Sequence, residues 1–337
     1  MKIKLMEVCG THTMAIAKAG IKKLLPENIE LISGPGCPVC VTAQEDIDRA
    51  IAIARQKDVI MTTFGDMLRV PGSQGSLEAA KRAGADVRVL YSCLDALEIA
   101  RQNPAKQVVF LGVGFETTAP TVALTILQAK KEGLSNFSVL SYFKVIFPAL
   151  SALAQSKKVR VNGFICPGHV SVITGSAPYE SIARRYKIPC VITGFDEGDL
   201  LKGIKRLIDN IKRRSFKVDI EYSRAVTKKG NAKARRIIDA VFTINDARWR
   251  GLGIIRKSGL RMKKDLEQFN AEKKFPVQVT RVKDPQGCVC AEVLQGIKSP
   301  NACRLFAKKC TPQTPIGPCM VSSEGSCAAF YKYGEGR

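Results

Sequence analysis

The sequence predicts an α/β protein: two Rossmann-like parallel-sheet domains facing a cleft, then a loop-rich C-terminal domain organised by cysteines. Three observations carry that prediction. Short apolar runs recur, each followed by apolar residues at helical spacing. The pattern pauses and restarts near residue 106. Six of the twelve cysteines then crowd between Cys288 and Cys327.

The runs at residues 3–8, 29–32, 59–62 and 87–91 read as four strands, and segments such as 45–56 and 76–83 as amphipathic helices. A second set follows, with strands at 108–113, 138–142, 163–166 and 190–193 and helices at 121–132, 148–155, 178–186 and 199–212. Strands alternating with helices imply parallel sheets covered on both faces. From residue 215 the chain becomes charged and irregular, with helices expected at 230–242 and 263–272. Past Asp284, Gly, Pro and Cys punctuate a stretch without a long periodic element, as in a domain folded by its metal. The expected division is 1–105, 106–213 and 214–337.

No run approaches the roughly 18 apolar residues that cross a bilayer, so no membrane association and a cytoplasmic setting are expected. The formal charge of +23 leaves a solvated helix face, an acidic partner, nucleic acid or a membrane surface to be weighed. Its densest stretch, residues 202–236, sets thirteen Lys or Arg against Asp209, Asp219 and Glu221, with only Phe216 and Tyr222 as aromatics. Nucleic-acid binding favours basic residues interleaved with stacking rings or a known reader motif, so a solvated helix face or an acidic protein surface fits better.

The cytosol keeps thiols reduced, so cysteines at short spacing point to metal or redox chemistry rather than stapling. The tail reads C-x-C-x12-C-x6-C-x8-C-x7-C. Four thiolates hold a [4Fe–4S] cluster or a tetrahedral zinc, and the missing C-x2–4-C knuckles favour the cluster. Two of the six cysteines are then spare for dithiol–disulfide cycling.

A second set opens the chain. Gly34–Cys40 reads G-P-G-C-P-V-C, a rigid turn whose Cys37 and Cys40 precede a helix expected near Thr42 and suit either redox or ligation. Cys9 and His12 lie in C-G-T-H-T, where three thiolates and an imidazole suit a soft metal. His169 in C-P-G-H-V-S, Glu116 in G-F-E-T-T and Asp66 in T-F-G-D also follow strand ends, where open parallel sheets bind ligands. Glu116 and Asp66 equally suit helix-start carboxylates. Glu324, between Cys319 and Cys327, suits a proton relay or a helix start. Cys93, Cys166 and Cys190 read as structural thiols. No phosphate-cradling glycine motif is present.

C-G-T-H-T, G-P-G-C-P-V-C, T-F-G-D-M-L-R-V-P-G, G-F-E-T-T-A-P-T, P-G-H-V-S and the tail C-T-P…P-x-G-P-C-M-V-S-S-E-G-x-C-A-A resemble the HypD family of hydrogenase maturation proteins, from about Leu5 to Tyr333. The resemblance implies a scaffold for the Fe(CN)2CO unit of [NiFe]-hydrogenase, shared with a small HypC-like chaperone and supplied with cyanide by a HypE-like donor. It implies Cys9 as the iron-holding thiolate with His12 beside it, and Cys37 and Cys40 as a redox pair. Asp66, Glu116, His169 and Glu324 are implied to face the cleft. Cys288, Cys303, Cys310 and Cys327 are implied as [4Fe–4S] ligands, with Cys290 and Cys319 as the spare pair. Departures are Cys93, where proline is expected, Ala291 and Ala307, where glycines are usual, and a chain starting almost at the first motif, which bears on HypC docking. The competing expectation is a cluster-dependent thiol–disulfide oxidoreductase acting on a protein disulfide.

Overall fold

A computed structural model describes residues 2–280 and 284–334. Its strands, in chain order, are β1 (Ile3–Glu7), β2 (Ile29–Ser33), β3 (Val59–Thr63), β4 (Asp86–Val89), β5 (Gln107–Gly112), β6 (Phe137–Ser141), β7 (Gly163–Cys166), β8 (Cys190–Ile192), β9 (Val218–Ile220), β10 (Phe242–Trp249) and β11 (Gly253–Met262). The most enclosed are short aliphatic runs. β3 reads VIMTT with every residue buried, as a parallel strand covered on both faces requires.

Two parallel sheets result, ordered β2-β1-β7-β8-β9 and β4-β3-β5-β6, with β10 and β11 as a separate antiparallel pair. The expected α/β class with two Rossmann-like sheets and a cysteine-rich C-terminal region is present. The sheets are not consecutive halves of the chain, however. β3 pairs with β5 at Met61↔Val109, and β1 pairs with β7 at Leu5↔Gly163, so both sheets cross the expected 105/106 division. β3 to β6 form an insertion between β2 and β7. Apolar runs specify that strands exist, whereas parallel partners are joined by long crossovers and leave no local trace.

The expected helices form near their expected bounds: Gln44–Ala54, Leu77–Arg82, Ala119–Glu132, Ile146–Ala154, Ala177–Tyr186, Glu197–Lys212 and Ala232–Val241. The element expected at 263–272 splits into a 3-10 turn, Lys264–Phe269, and one α turn, Ala271–Lys274, because the Asn270 side chain caps the second at the Glu272 amide. The β10–β11 hairpin was not expected. Only Phe242 and Trp249 are buried in β10, so no two-residue alternation marks it.

That hairpin has a specific task. Trp249, the only tryptophan, is buried and donates from Nε1 to Ser258 Oγ at 2.8 Å. It bridges to Thr42, and the Arg250 amide donates to the Val41 carbonyl at 2.8 Å. The hairpin thus clamps the loop after Cys40. The largest core is continuous through Met6 and Phe164 of the first sheet, Met61 and Leu111 of the second, and Leu294 and Cys319 of the tail. Among the described residues no helix is long and apolar enough to cross a membrane. Part of the basic excess in 202–236 is neutralised locally, by Arg206–Glu221, Arg224–Asp199 and Lys228–Glu180 pairs.

Candidate metal centre

Cys9 follows β1 as the N-cap of helix Gly10–Lys18. The buried Glu7 carboxylate accepts from the Cys9 amide at 3.1 Å and from Thr13 Oγ1 at 2.5 Å, which fixes the turn. Gly36, in the cysteine loop after β2, packs directly on it. Gly10 N donates to Gly36 O at 3.0 Å, and a Cβ on Gly36 would fall 2.1 Å from the Cys9 nitrogen. Only glycine permits that approach. Burial pushes the Cys9 thiol up to about 12, with the Glu324 and Glu7 carboxylates adding to the effect. A bound cation is the agent that reverses such a shift.

His12 is fully buried. Its Nε2 lies 3.0 Å from the Gly194 carbonyl and 3.1 Å from Thr193 Oγ1. A carbonyl only accepts, so Nε2 carries the proton and Nδ1 is left as a buried lone pair with no partner among the described residues. Burial lowers the ring to about 4, so it is neutral near neutrality. Phe195 lies between the two histidines, its centroid 4.8 Å from His12 and 4.1 Å from the stacked ring of His169. Burial also lowers His169, partly opposed by Glu324. Glu324 reaches in from the tail, where Thr11 Oγ1 donates to it at 2.6 Å. Cys9, His12, His169 and Glu324 therefore gather around the carboxyl ends of β1, β7 and β8, as the sheet rule anticipates. Phe195 was missed, although T-G-F directly after β8 occupies the same kind of position.

Cys37 and Cys40 are joined as a disulfide, with Cα atoms 5.3 Å apart. The helix expected near Thr42 begins two residues on, at Gln44, and a separate short turn precedes it. Cys37 itself caps a one-turn helix, Pro38–Val41, its sulfur accepting from the Cys40 amide at 3.2 Å, because Pro38 at the first position starts the turn early. This turn packs on the tail turn Pro318–Val321, where Cys40 Sγ lies 4.0 Å from the Pro318 carbonyl. The next residue is Cys319, whose sulfur is 2.8 Å from that of Cys290.

All six tail cysteines line one small cavity. Among the described residues no three His, Cys, Asp or Glu side chains converge on a single-ion position, so the thiols share a space rather than a point. Gly317 keeps that space open, since a Cβ there would stand 2.9 Å from Cys288 Sγ. Six soft donors around a glycine-lined cradle fit a polynuclear iron–sulfur group. Cys290 and Cys319 are both buried, whereas Cys288, Cys303 and Cys327 are half-buried. Hydrogen bonds from the Cys288 and Cys319 thiols hold Cys290 low, and the buried Arg250 guanidinium adds to this. Sequence reasoning did not single out Arg250. Cys93, Cys166 and Cys190 are buried in apolar core, and burial raises the thiols of Cys93 and Cys166.

Two expected members stand apart. Asp66 is exposed in the first turn of the short helix Gly65–Leu68 that follows β3, the helix-start setting its sequence allowed. Glu116 is buried after β5, where its Oε1 accepts from the Ile146 amide at 3.1 Å, and it lines a different cavity.

The family model described as HypD, hydrogenase formation hypA family, matches residues 1–334. The chain belongs to the HypD family. It is 46% identical to the hydrogenase maturation factor HypD of Escherichia coli, with 98% of this chain and 89% of that protein aligned. The HypD of Cupriavidus necator is 44% identical over 98% of this chain and 89% of its own. The HypD2 of Bradyrhizobium diazoefficiens is 44% identical over 99% and 90%. The general role of this HypD-family chain therefore lies in hydrogenase maturation.

Proposed function

We propose that this HypD-family chain is an assembly scaffold that holds the iron of the Fe(CN)2CO unit through the Cys9 thiolate. A HypC-like chaperone completes the iron site, and a HypE-like protein delivers cyanide. The observation that carries the reading is the setting of Cys9: a buried thiol that burial holds protonated, at the start of the helix that also carries His12, whose buried Nδ1 has no partner among the described residues. Iron exchanges for that proton, and the neutral imidazole accepts a hydrogen bond or donates its lone pair.

Releasing cyanide from a carrier thiocyanate needs two electrons and a proton, giving a thiol and cyanide. The second thiol set suits that demand. Cys288, Cys303, Cys310 and Cys327 would hold a [4Fe–4S] cluster, which supplies single electrons when bound. Cys290 and Cys319 then act as a dithiol beside the Cys37–Cys40 disulfide. In the exchange, the S–S bond of Cys37–Cys40 breaks and one between Cys290 and Cys319 forms, with two electrons and two protons passing between the pairs. His169 and Glu324 then move protons at the Cys9 side, a role their gathering near Cys9 supports.

The test is infrared spectroscopy of the complex with a HypC-like partner, purified without oxygen. Cys9→Ala is expected to abolish the bands of iron-bound cyanide and CO while the iron and sulfide content of the tail persists. Bands that survive the substitution overturn the assignment.

A further inference from the structure

Glu116 sits in a cavity of about 480 Å³ between the segments that follow β5 and β6, helices Gly168–Thr174, Ala177–Tyr186 and Ala232–Val241, and the β10–β11 hairpin. None of the twelve cysteines lines it. Its walls are apolar, including Val145, Phe147, Ile173 and Ile238. Glu116 is only 6% exposed, and its Oε2 has no hydrogen-bond partner among the described residues. A buried carboxylate oxygen left unpaired is costly, and such groups are normally satisfied. Desolvation raises this carboxyl to about 7, opposed by hydrogen bonds from the Glu116 and Ile146 backbone amides.

At the rim stand Arg235 and Lys263, neither with an ion-pair partner among the described residues, and one carboxylate, Asp239. The pocket therefore asks for a hydrogen-bond donor at its base, an aliphatic stem along its walls and acidic groups at its mouth. Because Glu116 Oε1 is already taken by the Ile146 amide, a single-point donor suits the free oxygen better than a two-pronged guanidinium.

We propose that this cavity docks a lysine side chain of a partner polypeptide, carried between acidic residues. The ammonium meets Glu116, the methylenes pack on Phe147 and Ile238, and the flanking acids meet Arg235 and Lys263. The site is independent of the thiol centre, and its test does not depend on iron chemistry.

The probes are acetyl-Asp-Lys-Asp-amide and the same peptide with norleucine replacing lysine, titrated into the full chain by ligand-observed NMR. The lysine peptide is expected to bind at least about tenfold tighter than the norleucine peptide, a preference that Glu116→Gln removes. The exposed rim is read separately. Arg235→Glu with Lys263→Glu is expected to weaken the Asp-flanked peptide and favour a Lys-flanked one, which keeps the proposal testable should Glu116→Gln fail to fold. Equal binding of lysine and norleucine peptides, a lysine preference that survives Glu116→Gln, or indifference to the rim reversal overturns it.

Discussion

Cys40 Sγ lies 4.0 Å from the carbonyl oxygen of Pro318, the residue that precedes Cys319. More than 270 residues of chain separate the two. Their contact brings the cysteine turn after β2 against the tail whose six cysteines line one cavity. The same tail sends Glu324 back to Thr11, beside Cys9. One segment therefore touches both the Cys37–Cys40 turn and the Cys9 loop, and Cys37, Cys40, Cys290 and Cys319 belong to one packed core.

If Cys319 is the thiol that meets the Cys37–Cys40 bond, Cys319→Ser will isolate that bond from the cluster. With dithionite as reductant under argon, cluster-loaded native protein is expected to open the Cys37–Cys40 disulfide. The variant is expected to do so at least about tenfold more slowly, because a serine oxygen neither attacks nor carries a disulfide. Alkylation followed by mass spectrometry counts the freed thiols. Equal rates in the two proteins would place the electron route elsewhere.

Gly36→Ala tests how the two loops meet. The added Cβ would overlap the Cys9 nitrogen and the Val8 carbonyl carbon, which lie 2.1 and 2.3 Å from it. Backbone cannot rotate away as a side chain can. The substitution should cost about 2–4 kcal/mol in denaturant unfolding and lower the iron held at Cys9. A cost within about 0.5 kcal/mol, the range of an ordinary surface substitution, would show that the loops separate in solution.

Much of this was legible in the sequence, and the reasons differ by residue. Strands such as β3 and β5 are continuous apolar runs, and Cys9, Cys37 and His169 follow strand ends by simple counting. The assignment of β1 to β7 rather than to β3 was not legible, because the pairing spans a crossover of well over a hundred residues. Arg250 and Phe195 were missed for a related reason. Each acts through neighbours distant in sequence, Cys290 for one and both histidines for the other. Ala307 shows the opposite case. The family resemblance leads one to expect glycine there, and Ala307 adopts φ 55°, the left-handed region where a side chain costs about 1–2 kcal/mol.

Glu116 also makes a prediction about acidity. Its carboxyl rises from an ordinary 4.5 to about 7 in the folded chain because burial disfavours the charge. Between those values the folded state keeps a proton that the unfolded state has lost. Stability from this group is therefore fully present below about pH 4.5 and is lost as pH rises through about 7. Glu116→Gln removes the ionisation while keeping an oxygen for the Ile146 amide. In the absence of any docked ligand, the variant should be more stable than the native chain by about 1–3 kcal/mol at pH 8 and nearly equal to it at pH 4. Urea unfolding at the two pH values measures the difference. A variant destabilised equally at both would mean that the carboxylate already has a counterion in the free protein, and that the pocket at its side is not waiting for one.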